Sequence, residues 1–193
     1  MLSVDEYVAK ASTEGPPMPG IVLGIRMSVL AMRLLEIDDP EKYHRKLIVV
    51  AETDRCLPDV VEMVLGCRLG NRSLKFKDWG KMAASFLDLT RGRAFRVAAR
   101  ELIEPEAAQS FSGLPRDEAL RKAYTDFPDE KLFKWQPVVL KFSPQDLPGY
   151  HAKRVICEQC GEGIGFQREV QKDGLTLCRA CAGEAYWLPD GAG

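Results

Sequence analysis

A surplus of either charge is missing from this sequence: 27 basic and 28 acidic residues leave a formal net charge of −1 over 193 residues. Nucleic acids and anionic membranes both select a basic excess, so the balance argues against them as partners. Histidine is scarce, with two in the chain; His44 stands among Lys42, Tyr43 and Arg45 and is read as a surface residue without a chemical role. No long apolar run is free of charge. The longest, Ile21 to Leu35, is interrupted by Arg26 and Arg33 and is too short to span a bilayer, so it reads as a core-facing helix. The first seven residues carry two acids where a secretory leader is positive, and a cytoplasmic protein is expected. Repeats and low-complexity tracts are absent.

What is present is ordinary globular material, 46% hydrophobic and 28% charged, enough for one sizeable core and a small satellite module. Six cysteines in a chain of this size do not make a disulfide framework. Four of them form two C-x-x-C pairs, Cys157/Cys160 and Cys178/Cys181, separated by 17 residues. That spacing suits two knuckles closing on one tetrahedral metal through four thiolates. Gly161 and Gly163 relax the chain after the first pair, Lys172-Asp173-Gly174 makes a hairpin turn, and Arg179 to Trp187 reads as a helix. The order is that of a treble-clef-like zinc finger. Zinc is expected, one per chain and structural, since four protein ligands leave no open position; a single iron is the alternative. Nucleic-acid binding by the finger has little support, because Arg154, Arg168, Lys172 and Arg179 are balanced by Glu158, Glu162, Glu169, Asp173 and Glu184.

Upstream, periodicity predicts a short helix near Ser3–Ala11, a Pro/Gly loop over Thr13–Gly20 and a long helix from Ile21 to Leu35. The apolar run Leu47–Ala51 reads as a buried strand delivering Asp54, Arg55 and Cys56 to its C-terminal end. A helix over Pro58–Leu65, capped by Gly66, is followed by an antiparallel meander: Ser73–Lys77, a turn at Asp78–Lys81, Met82–Leu89 pairing back, and Ala94–Arg100. Glu104–Thr125 is helical with a division at Pro115, Glu130–Gln136 a short helix or turn, and Pro137–Phe142 a strand. Ser143–Gly149 reads as a linker. The expected architecture is an α+β core domain, residues 1–149, with a mixed or antiparallel sheet and packed helices, joined to a finger over 150–193.

Taken together, Gly15–Arg33, Asp54-Arg-Cys56 with its helix and Gly66-Cys67, Lys77-Asp-Trp-Gly-Lys81-Met-Ala and the terminal cysteines resemble the FmdE family of formylmethanofuran dehydrogenase proteins. The resemblance implies an α+β core tied to a zinc finger, a homodimer with interlocking protomers, and an accessory role in a molybdenum or tungsten oxidoreductase complex. The chain departs from the family pattern at one place. Where His-Gly-His-x-Cys-Pro-Gly is typical, it reads Glu14-Gly-Pro-Pro-Met18-Pro-Gly20, leaving a carboxylate and a thioether for two histidines and a cysteine. A core pocket with altered or lost metal chemistry is therefore expected, with Glu14, Met18, Asp54, Cys56, Cys67 and Trp79 as its binding residues and Cys56, Asp78 and Lys81 as catalytic candidates. The residues alone also allow Cys56 to be an inert buried thiol, and Asp78 and Lys81 to be a solvated hairpin tip. A nucleophilic Cys56 would lack a histidine nearby in sequence. An interaction module, using finger and dimer surface, is the alternative reading.

Overall fold

The computed structural model describes residues 2–13, 15–101 and 103–190. They form two compact units, residues 1–141 and 142–193. The segment anticipated as a linker belongs to the second unit: Arg168 donates to Asp146 and Tyr150 to Gln167.

The first helix, α1 (Val4–Ala11), starts on a reciprocal cap in which the Glu6 N–H donates to Ser3 Oγ and the Ser3 N–H to the Glu6 carboxylate. Helix α2 (Pro19–Leu35) opens with Pro at its first position, where no N–H is needed, and ends at Glu36 in the left-handed region. It is enclosed on several sides: Ile25, Met27, Ala31, Met32 and Leu35 are all 0% exposed. Even the Arg26 side chain is only 11% exposed. Its guanidinium donates to the carbonyls of Tyr124, Thr125 and Phe127 and to Asp129, satisfying the open end of α5 (Arg116–Asp126). At its own C-terminus α2 is closed the same way, with Arg91 donating to the Leu35 carbonyl and Arg93 to that of Leu34.

Helix α3 (Cys56–Leu65) packs on α2 at close range. A Cβ built on Gly20 would lie 3.3 Å from Cys56 Sγ, and one on Gly24 would lie 3.2 Å from Val60 Cγ2. Helix α3 begins two residues before its expected start, because the Thr53 hydroxyl accepts the Arg55 N–H and turns the chain early.

The sheet is mixed, in the order β2-β1-β3-β4-β5. β1 (Leu47–Ala51) lies inside, parallel to β2 (Leu74–Phe76) and antiparallel to β3 (Ala83–Asp88). β4 (Arg93–Ala99) pairs with β3, and β5 (Phe133–Pro137) with β4. One face sends Val49, Ala51, Ala84, Phe86 and Val97 into the helical core. Two expectations fail here. β2 and β3 do not form a hairpin, because the fully apolar β1 takes the place between them and the connection passes round its end. The last strand begins at Phe133, not Pro137: Phe133 is buried and sits opposite Ala99, whereas Val139 is 84% exposed. Helix α4 (Ile103–Ser110), α5 and the short α6 (Asp129–Leu132) complete the core unit.

The α2–α3 contact leaves no room for a side chain at Gly24. Gly24→Leu is expected to destabilise the core by about 1–3 kcal/mol in urea denaturation, with part of the loss recovered in the Gly24→Leu, Val60→Ala double variant.

Candidate functional site

The second unit carries the clearer site. Its knuckle is the hairpin of β6 (Val155–Ile156) and β7 (Gly163–Ile164), its second hairpin β8 (Val170–Lys172) and β9 (Leu175–Leu177), followed by a helical turn at Ala180–Glu184. Asp173 and Gly174, both at positive φ, make the two-residue turn between β8 and β9. The closing helix is shorter than expected. Gly183 at φ 110 ends it at Glu184 and leaves Tyr186 and Trp187 outside.

These elements bring Cys157, Cys160, Cys178 and Cys181 together with all four Sγ atoms within 4.8 Å of one another. A zinc–sulfur bond of about 2.3 Å implies tetrahedral sulfur–sulfur edges of about 3.8 Å; Cys160 Sγ and Cys178 Sγ are 3.9 Å apart. The donor set therefore fits zinc. Backbone N–H groups point at the sulfurs, Cys178 N–H to Cys157 at 3.3 Å and Cys181 N–H to Cys178 at 3.4 Å. Hydrogen bonds from the backbone around Cys160 and Cys178 hold the Cys157 thiol down at about 6, while proton sharing with Cys178 pushes Cys181 up to about 12. The cluster is arranged to exchange shared protons for a dication.

In the core, Cys56 occupies the first turn of α3 and meets Gly20 in the first turn of α2, so the start of the long helix and the Asp54-Arg-Cys56 segment do converge. Cys56, Asp59, Val60 and Met63 follow the i, i+3, i+4, i+7 pattern and share one face of α3. The loop ahead of α2 lies along that face, and Pro16, Pro17, Met18 and Ile21 with Asp59, Val60 and Met63 line a cavity of about 320 Å³. Glu14 lies outside the described residues. Asp54 is exposed between β1 and α3.

The other candidates go elsewhere. Cys67 is buried past the far end of α3, its thiol directed to the Leu47 carbonyl at 3.7 Å. Burial pushes its pKa up to about 11, so it is a neutral core thiol and not a pocket ligand. The segment Lys77–Lys81 is a strap round the end of β1 and not a hairpin tip: the N–H groups of Trp79 and Lys81 both donate to the Glu52 carbonyl at 3.1 Å. Asp78 is exposed on it. Trp79 is 60% exposed; its ring meets the Lys81 ammonium, 5.7 Å from the ring centroid, and not an apolar wall. Lys81 lines a different cavity, about 870 Å³, at the end of the sheet.

Sequence reasoning missed Glu52 and Arg96. The Glu52 carboxylate, 5% exposed, accepts from Arg96 Nε and Nη2 at 2.6 Å each. The one available signal was an acid directly after a wholly apolar strand. Among the described residues, the finger cysteines form the one group of three or more His, Cys, Asp or Glu side chains close enough to share an ion.

Comparison with known proteins agrees with this division. A family described as FmdE, Molybdenum formylmethanofuran dehydrogenase operon, matches residues 15–135, and the prokaryotic dksA/traR C4-type zinc finger matches residues 152–186. A tungsten formylmethanofuran dehydrogenase FmdE-like protein from Syntrophus aciditrophicus is similar in structure, with a TM-score of 0.64 and 30% identity over 97% of this chain and 96% of that one. A probable S-adenosyl-L-methionine-binding protein of Archaeoglobus fulgidus is 30% identical over 87% of this chain. The chain spans 50% of the length of that relative.

Cys160→Ser is expected to abolish zinc binding and unfold residues 142–193 while the core keeps its helical circular dichroism. For pH the sign is set by competition, since protons and zinc contend for the same four thiolates. Zinc release measured with a chromophoric chelator should thus rise on acidification and not on alkalinisation.

Proposed function

Because the chain belongs to the FmdE family, whose match covers residues 15–135, we propose that it is a cytoplasmic, homodimeric accessory or ligand-binding protein. In this reading one structural zinc is held per chain, and the core region round Cys56 has exchanged metal chemistry for an organic ligand held in the adjoining loop cavity, whose described lining does not include Cys56. The observation that carries it is the lining of the loop cavity. Prolines, methionines, Ile21 and Val60 form its walls, and Asp59 is the one charged group among the described residues lining it. Apolar walls with few polar groups, at a volume near 320 Å³, suit a small molecule. Methionine thioethers adapt to irregular ligands, so Met18 and Met63 serve such a site better than they serve a hard cation.

The name of the Archaeoglobus relative brings S-adenosyl-L-methionine to this chain as the first ligand to test. A sulfonium cation against apolar walls complements the carboxylate of Asp59. A second reading, recruitment of a partner protein, is favoured by the residues after the last cysteine: Tyr186 is 97% and Leu188 83% exposed.

Metal analysis and calorimetry separate these readings. The ligand-binding reading expects one zinc per chain in both the wild type and Cys56→Ser, and S-adenosyl-L-methionine binding weakened at least tenfold by Asp59→Asn. A second metal that disappears in Cys56→Ser would return the pocket to metal chemistry and sink the proposal.

A further inference from the structure

The larger cavity, at the end of the sheet, has no part in the loop pocket, and its floor is built in an orderly way. Register places Ala83, Ala98 and Lys134 in one row across β3, β4 and β5, and Ser85, Arg96 and Gln136 in the next row on the same face. The two alanines make the hollow. Lys134 is the diagonal neighbour of Arg96, about 7–8 Å away at the backbone, a spacing from which two long cationic side chains converge on one anion. Lys81 stands at the same end, held there by the Lys81 N–H bond to the Glu52 carbonyl.

Arg96 is pre-oriented. Nε and Nη2 are bound to Glu52, which uses two of the five guanidinium N–H donors and leaves three. Burying a carboxylate to hold an arginine is weak as a device for stability, since desolvation offsets most of the attraction. It is effective as a device for aiming a donor. Lys81 and Lys134 have no carboxylate partner among the described residues, Lys81 meeting the Trp79 ring instead. The acids that line the cavity, Glu101, Glu106 and Glu130, come from the β4–α4 turn, α4 and α6, and Glu106 is already paired with Lys131. They confine an anionic group to the sheet side.

The geometry points to a second ligand site in this protein, at which Arg96, Lys134 and Lys81 hold the carboxylate or phosphoryl group of a small metabolite over the Ala83–Ala98 floor. The site shares no lining residue with the loop pocket. Inorganic phosphate and succinate are the probes, titrated calorimetrically into the zinc-loaded full chain at low ionic strength, with chloride at matched ionic strength as the control. At least one probe should bind saturably beyond the chloride control. Lys134→Gln and Lys81→Gln, both exposed positions, should each weaken that binding at least threefold, and together at least tenfold. Glu52→Gln replaces one acceptor oxygen with an NH2 that opposes an Arg96 N–H, so the bidentate hold that aims Arg96 is lost and binding should weaken at least threefold. Cys56→Ser should leave it unchanged, which keeps this test separate from that of the loop pocket. No saturable binding of either probe, or equal affinities in wild type and both lysine variants, would overturn the inference.

Discussion

The contact between Gly20 and Cys56, continued one turn later between Gly24 and Val60, sets the geometry on which the core depends. A long apolar helix alone would pack on α3 at whatever distance its side chains allowed; two glycines four residues apart bring the axes closer and define which faces meet. The consequence reaches the site directly. Cys56 is held against the first turn of α2, and the Pro/Gly loop that precedes that turn is laid along the α3 face carrying Asp59 and Met63. The position of α2 is fixed further by arginines: Arg26, midway along it, ties it to the end of α5, and Arg91 and Arg93 tie the β3–β4 hairpin to its last carbonyls.

A second constraint organises the opposite end of the sheet, and it acts through one residue used twice. The Glu52 backbone carbonyl holds the strap, while its side chain holds Arg96. Strap position and guanidinium orientation are therefore coupled through a single residue at the end of β1. Lys81, on the strap, and Arg96, on β4, face one cavity for that reason. The candidate chemistry of the core thus separates into two places, a loop pocket governed by helix packing and a sheet-end pocket governed by the end of β1.

Much of this was legible in the sequence, and the parts that were not share a cause. The run Leu47–Ala51 announced its burial by being apolar at every position, Pro115 divided two helices, and four cysteines at fixed spacing specified their own cluster. Each of these signals is local. Alternation over Ser73–Lys77 announced a strand but not its neighbour; six residues suffice either for a hairpin or for a passage round an intervening strand, and only the competing burial of β1 decides. The same limit hid Arg96. It follows Glu52 by 44 residues and meets it only through the register of β1, β3 and β4. Cys67 misled for the converse reason: its position after Gly66 looks like a loop site, yet the helix end turns it into the core.

The loop substitution and the finger can now be weighed against each other. Metal affinity of a thiolate–imidazole site requires several ligands fixed at once, so on the proposed reading a loop with Glu14, Pro16 and Met18 in place of the expected ligands would remove such a site and not merely weaken it. The finger retains its complete set and its inward-pointing N–H groups in a unit of its own. A fold that keeps one four-thiolate site intact while its core loop carries proline and methionine has not drifted away from metals as a whole. On the proposed reading a metal in the finger would serve folding in residues 142–193, and the cavities of the core, one mostly apolar and one carrying Arg96, Lys134 and Lys81, would be left to organic ligands.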